Sequence, residues 1–188
     1  KAIVVEGPDG AGKSTLVQAF KASISNVETL HPGKPPTSYQ ALLSMLNEQL
    51  THKTRSLVVY DRMTCISEWV YRPFRESLMN NVENECACHF SLFEAQMALT
   101  TSFNCTIVYC RPPISSITHN CSLFGEHDTL ETIRVVKNHI MQIIIAYDAL
   151  MIRLKALGCQ VVKYDYNKIQ MNNFIQTIME PNNESRIN

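Results

Sequence analysis

Short apolar runs rich in β-branched residues alternate along the chain with stretches whose apolar positions recur at helical spacing. Ile3-Val4-Val5 is the first run, followed by a glycine-rich turn and a helical stretch from Lys13 to Ala22. Val27–Leu30 reads as a short second strand. Two kinds of breaker cluster in His31-Pro32-Gly33-Lys34-Pro35-Pro36, which predicts a loop. Between Ser38 and Leu50 a helix is predicted, with Leu42, Leu43, Leu46 and Leu50 on one side. Leu57-Val58-Val59-Tyr60 predicts a strand buried on both faces that stops at Asp61.

Helical patterns follow over 67–78 and 89–101. Cys105–Tyr109 reads as the fourth strand, closed by Arg111-Pro112-Pro113. The segment 115–128 has weak periodicity and is expected to be a mobile connection. Asp128 and Glu131 are spaced as a capping box, in which an N-cap oxygen and a third-position carboxylate satisfy free amides. The helix they open reaches Leu157 and stops at Gly158, a length of about 40 Å. Ile133, Val136, Ile140, Ile144, Tyr147, Met151 and Leu154 line one of its faces. Val161–Tyr164 is the last predicted strand and Ile169–Met179 the last helix, before a polar tail expected to fray. Strands alternating with helices predict an α/β fold, a parallel sheet covered by helices, in one domain spanning 1–188.

Composition narrows the partners. The 17 Lys and Arg balance 17 Asp and Glu, so no global field draws the chain to nucleic acid or to an anionic membrane. Apolar residues at 45% and charged residues at 18% suit a globular core. The longest apolar run, Ile143–Tyr147, falls far below the roughly 20 residues of a membrane span. Ala2–Val5 is cut off by Glu6, too soon for the core of a secretory signal. The seven cysteines are an odd number, and Cys105, Cys110 and Cys159 lie in apolar surroundings. These features predict reduced, buried thiols and a cytoplasmic location. Cys86-Ala87-Cys88-His89 is either a metal site or a set of ordinary thiols at a helix start; the absence of a second Cys/His pair at finger spacing favours the thiols.

The segment that carries chemistry is Gly7-Pro8-Asp9-Gly10-Ala11-Gly12-Lys13-Ser14-Thr15, which fits G-x-x-x-x-G-K-S/T between a buried strand and a helix. Gly10 and Gly12 let backbone N–H groups close around phosphate oxygens. The helix amino end adds partial positive charge. Lys13 is placed to neutralise a transferring phosphate and Ser14 to offer a hydroxyl to Mg²⁺. The pattern predicts a nucleoside triphosphate ligand without naming the reaction. Asp61, at the carboxyl end of a buried strand, opens onto the same crevice and is a second Mg²⁺ ligand candidate. Arg62 follows at once, and its fixed fork suits a second phosphate.

Glu6-Gly-Pro-Asp-Gly-Ala-Gly-Lys-Ser-Thr15 resembles the phosphate loop of thymidylate kinases. Asp61-Arg62 with Ser67 and Tyr71 is similar to that family's D-R-x-x-x-S-x-x-A-Y signature, with one extra residue before the serine. Arg111-Pro-Pro113 and Tyr164-Asp-Tyr-Asn167 look more like small phage deoxynucleoside monophosphate kinases of the same superfamily. The resemblance implies a P-loop kinase three-layer fold, with a mostly parallel five-stranded central sheet and a short lid over about 114–128. It implies transfer of the ATP γ-phosphate to dTMP or a related deoxynucleoside monophosphate with Mg²⁺, and a homodimer.

By position, the resemblance gives Asp9 the acceptor sugar, Arg62 the acceptor phosphate and Tyr71 the sugar C2′. Ser67 and Arg72 fall in the same acceptor segment. Trp69 or Phe74 could stack on the base, with core packing the alternative for Trp69. Asp165-Tyr166-Asn167 lies where this fold usually contacts adenine, although Asp and Asn also favour a plain turn there. Family lids carry arginines, and 114–133 has none. Arg111, Arg134, His119 and His127 are the candidate cations, of which Arg111 is the preferred catalytic one because it follows a strand end.

A kinase acting on a nucleoside hydroxyl is the alternative; it needs a carboxylate base, for which Glu28 is the candidate by position. A non-catalytic nucleotide-binding protein is a third reading, against which intact Lys13, Ser14, Asp61 and Arg62 argue. A GTPase would need N-K-x-D, and Asn167-Lys168-Ile169-Gln170 lacks the aspartate.

Overall fold

The computed structural model describes residues 2–33, 39–52, 56–76, 105–123 and 130–180. The elements are β1 (Ala2–Glu6), α1 (Lys13–Ser23), β2 (Val27–Leu30), α2 (Tyr39–Thr51), β3 (Leu57–Asp61) and α3 (Thr64–Glu76). They continue with β4 (Cys105–Cys110), α4 (Ile114–Ser122), α5 (Leu130–Ala156), β5 (Gln160–Tyr164) and α6 (Met171–Met179). The predicted helix over 89–101 and the Cys86, Cys88 and His89 cluster lie outside the described residues, as do His127 and the Asp128 cap.

The sheet has five strands in the order β2-β3-β1-β4-β5, and every pairing is parallel. The alternation of strands and helices predicted a parallel sheet, and the resemblance a mostly parallel one of five strands. β1 and β4 are buried at every position, which explains their unbroken apolar runs. The edge strands β2 and β5 carry polar residues and are partly open. From β1 the chain travels outward through α1 to β2 and back to β3, then crosses to β4 on β1's other side. The order therefore reverses beside β1, and the crevice at the carboxyl ends of β3, β1 and β4 is the place where such sheets bind ligands.

Helices close the core. α1 turns Leu16, Val17 and Phe20 inward. On α2, Leu42 and Leu46 are buried but Leu43 is exposed, and Gln49 occupies a buried place instead. Its amide oxygen accepts from Thr64 N–H at 3.0 Å and so satisfies a free amide at the start of α3. α5 buries Val136, Ile143, Ile144, Tyr147, Leu150, Met151 and Leu154, a wider stripe than predicted, with Ile133 and Ile140 only half-buried.

Over Ile133–Ala156 α5 is also long and apolar enough to cross a membrane, at a mean hydropathy of 1.3. The short run Ile143–Tyr147 hid this, because single polar residues interrupt the helix without lowering its average much. Its buried stripe packs against α3 and β5 in the core.

The expected mobile connection is corrected in part. Residues 114–122 form helix α4, whose Ile117 and Cys121 are buried. An inward face of one residue per turn is too short a repeat to register as periodicity.

Candidate active site

The loop between β1 and α1 leaves the sheet at its switch point. Gly12 caps α1 with no side-chain hydrogen bond, so the helix amino end is open to an anion. Gly10 has φ +76°, and a Cβ there would stand 2.8 Å from the Ile117 carbonyl and 2.9 Å from Cys121 Sγ. The left-handed turn and the close approach of α4 both require glycine at this point.

Lys13 is buried and its ammonium donates to the Pro8 carbonyl at 2.7 Å. It also lies 3.6 Å from Asp9 Oδ1. Arg62 donates from Nη2 to the same oxygen. The Asp9 backbone N–H donates to the Tyr71 hydroxyl at 3.0 Å. Burial raises the Asp9 pKa, but the Arg62 and Lys13 charges and the hydrogen bonds from Arg62 and Tyr71 outweigh it and hold the carboxyl at about 2. Burial, aided by the Arg62 charge, pushes Lys13 down against the pull of Asp9 and Glu6. Arg62 is desolvated too, yet Asp9 keeps it firmly charged. Two cations and one ionised carboxylate therefore meet beside the loop.

Asp61 ends β3 opposite Val5 of β1. Its Oδ1 is buried and has no hydrogen-bond partner among the described residues. A buried carboxylate oxygen left unpaired beside a phosphate loop fits a Mg²⁺ ligand, held directly or through water. Ser14 is exposed in the first turn of α1 and free to supply the hydroxyl, with Thr15 exposed beside it. Among the described residues no group of three or more His, Cys, Asp or Glu gathers as a metal cage. Magnesium in nucleotide sites needs no such cage, since phosphates and water fill most positions.

Glu6 was read as the end of the first apolar run and the first residue of the segment resembling a phosphate loop, with no role of its own. It is fully buried and accepts hydrogen bonds from Met63 N–H at 2.6 Å, Tyr147 OH at 3.1 Å and Ser67 OH at 3.2 Å. Burial raises its pKa, against the Met63 amide and the Arg62 and Lys13 charges. It also accepts from the neighbouring Gly7 N–H at 3.4 Å, but the partners that define its surroundings lie 57 to 141 residues away, where no local signal could mark them. Asn120 on α4 was missed as well. Its amide donates to the Gly10 carbonyl at 2.8 Å and to the Tyr166 hydroxyl at 3.0 Å.

No family model matches the chain, and no curated protein matches it. Solved structures do. Deoxyadenosine kinase from M. mycoides, with dCMP and a flexible dCDP bound, is 14% identical at a TM-score of 0.61 over 95% of this chain and 96% of that one. The same enzyme with dCTP is 15% identical at 0.61, covering 95% and 97%. The YorR protein from Bacillus subtilis, in complex with phosphorylated GDP, is 16% identical at 0.62, covering 95% and 93%. The chain has the P-loop nucleotide-kinase fold.

Within that fold the loop Asp165-Tyr166-Asn167 follows β5 and adjoins the phosphate loop. The Tyr166 ring lies 3.2 Å from where a Gly12 Cβ would stand. Asp165 Oδ1 accepts from Asn167 N–H at 3.0 Å, and Asn167 donates to Ser116 Oγ at 3.1 Å, tying the loop to α4.

The acceptor candidates on α3 divide between two surroundings. Ser67 and Tyr71 join the Glu6 and Asp9 network, and the Arg62 guanidinium sits 5.5 Å over the Tyr71 ring. Trp69 instead lies beneath Arg153, at the far end of α5, with 5.8 Å to the ring centroid. Phe74 stacks on His139 of α5 at 5.1 Å. Arg72 is half-buried.

Arg111 is not brought to the loop. Its Nε and Nη2 form a fork on Asp148 at 3.0 Å each, and Tyr109 OH donates to the same carboxylate at 2.6 Å. His119 and Arg134 are exposed. Glu28 pairs with His52 at 3.1 Å, and it lies two residues short of the carboxyl end of β2, which faces the crevice.

Proposed function

We propose that the protein transfers the γ-phosphate of ATP to a deoxynucleoside monophosphate, dTMP or a related dNMP, giving the diphosphate and ADP. The observation that carries this reading is the convergence of Arg62 and Lys13 on one Asp9 carboxylate oxygen. Two cations held by different elements around a single anion are suited to an acceptor phosphate and to the phosphate being transferred.

A monophosphate oxygen is already anionic and needs no general base. Positioning and charge neutralisation are then sufficient for catalysis. The phosphate-loop amides and the α1 amino end cradle the donor phosphates, Lys13 neutralises charge on the group in transfer, and Arg62 orients the acceptor. The Ser14 hydroxyl and Asp61 would hold Mg²⁺, which would add charge neutralisation at the donor phosphates. Asp165, Tyr166 and Asn167 belong to the donor base side in this reading.

The likeness to a deoxyadenosine kinase favours a second reading, transfer to a free deoxynucleoside. That reaction requires a base for the 5′-hydroxyl. Glu28, the carboxylate expected for it, has an oxygen 3.1 Å from His52 Nε2 and lies two residues short of the carboxyl end of β2.

ADP release from Mg-ATP against deoxynucleoside monophosphates, ribonucleotides and free deoxynucleosides separates the readings. Turnover with monophosphates alone is expected and identifies the base. Turnover with free nucleosides would establish the second reading, and none at all would leave a binding or ATPase role.

A further inference from the structure

Arg62 is aimed at Asp9 by a turn rather than by a strand or helix. Its φ is +76°, a left-handed conformation that strains a non-glycine residue. Two hydrogen bonds to the end of β1 hold the turn on either side of the Arg62 side chain. The Arg62 N–H donates to the Val5 carbonyl at 3.1 Å, and the Met63 N–H donates to Glu6 Oε1 at 2.6 Å.

The other end of the carboxylate is equally fixed. Tyr147 of α5 donates to Glu6 Oε2 at 3.1 Å, and its ring meets Tyr71 edge-on at 6.0 Å. Tyr71 in turn accepts from the Asp9 amide and underlies Arg62. Glu6 Oε2 also accepts from the Gly7 N–H at 3.4 Å. Fully buried, the carboxylate joins the turn that carries Arg62 to the residues that surround it.

We propose that Glu6 is a positioning residue for the acceptor side of the site, holding the 62–63 turn in its left-handed form so that the guanidinium faces the acceptor anion. The inference rests on the phosphate-acceptor reading above. A carboxylate serving only the core would support donor and acceptor binding alike. One that sets the Arg62 turn affects the acceptor selectively.

Glu6→Ala removes the acceptor for Met63 N–H. Glu6→Gln keeps an acceptor oxygen for Met63 N–H and puts an amide NH2 at the Oε2 position, where it can donate to the Tyr147 hydroxyl but no longer accepts the 3.4 Å bond from Gly7 N–H, so it removes charge while keeping shape. Glu6→Ala is expected to raise the acceptor KM by about tenfold or more while the ATP KM changes less than about twofold, with Glu6→Gln recovering most of the loss. An ATP KM that rises in step, or a glutamine variant no better than alanine, would overturn the proposal.

A second readout needs no turnover. Arg62→Gly relieves the left-handed turn of its strain, so Glu6→Ala should raise the unfolding equilibrium constant by a factor at least about fivefold smaller in that background than in the wild type. Equal losses in both backgrounds would overturn the role of Glu6. Absence of acceptor-dependent turnover in the wild type would instead refute the kinase reading and leave this cycle to decide Glu6. Should Glu6→Ala not fold, Glu6→Asp withdraws the carboxylate by one methylene and carries both measurements.

Discussion

Asp9 and Arg62 stand 53 residues apart in the chain and form an ion pair through Asp9 Oδ1, the oxygen that Lys13 also approaches at 3.6 Å. A carboxylate of the phosphate loop itself keeps the two cations together. Like charges on Lys13 and Arg62 would otherwise repel in a buried setting. The pairing therefore has a stability component and a binding component, which substitution can separate.

The stability component follows from the Asp9 carboxyl. Its pKa falls from an ordinary 3.8 to about 2 in the folded protein. A depressed folded-state pKa stabilises above the unfolded value, and the contribution disappears as pH falls through the folded one. At about 1.4 kcal/mol per unit this amounts to about 2 kcal/mol at neutral pH. Asp9→Asn should lose that much in urea unfolding at pH 7, and the difference from wild type should shrink between about pH 4 and pH 2. A difference that does not change with pH would show that the ion pair is not its source.

In the proposed reaction the catalytic component falls to Lys13. Removing its charge should lower kcat by about 10²-fold or more, since it takes away a cation poised at the transferring phosphate. Arg62→Ala should instead raise the KM for the monophosphate more than that for ATP. Steady-state kinetics with both substrates varied distinguishes the two patterns, and a larger ATP effect for Arg62 would assign it to the donor side.

Legibility in the sequence followed how local each feature is. The motif around Lys13 and Ser14 could be read because strand, glycine turn and helix are contiguous in the chain. The strands were found because β1, β3 and β4 are buried on both faces and show it as unbroken apolar runs. Trp69 was ambiguous because its neighbour Arg153 lies on an element packed beside it only in three dimensions. Glu6 looked like the polar end of a strand, since a carboxylate there is ordinarily solvated and its donors come from three distant elements. Asn120 was invisible for a related reason. Its role depends on Gly10 presenting a carbonyl that the glycine's missing side chain leaves uncovered.

That complementarity between α4 and the loop gives another prediction. Asn120→Ala deletes two hydrogen bonds, one to the phosphate loop and one to Tyr166, and should cost about 1–2 kcal/mol of stability. It should also raise the ATP KM by several-fold, about 1 kcal/mol of lost donor-side order, with little change in acceptor KM. Gly10→Ala should be worse, because its Cβ would meet the Ile117 backbone at 2.8 Å in a left-handed conformation. Thermal unfolding and ATP titration of both variants check the pair. An Asn120 variant with unchanged ATP KM would mean that α4 only covers the loop.

Arg111 offers the sharpest disagreement between sequence expectation and geometry. Its place after β4 suggested a cation for the transition state, whereas its fork closes on Asp148 of α5 with Tyr109 completing the contact. Asp148 is itself desolvated in part, yet the bonds from Arg111 and Tyr109 lower its pKa. The arrangement ties the end of β4 to α5, and it is partly solvated, so each half should contribute only about 1 kcal/mol. Arg111→Ala and Asp148→Ala should therefore cost similar stability, and the double variant should cost less than their sum. If the fork remains on Asp148 during turnover, Arg111→Ala lowers kcat by less than about tenfold. A loss of about 10²-fold or more, with Asp148→Ala leaving kcat nearly intact, would mean that Arg111 leaves Asp148 and reaches the phosphates when substrates bind.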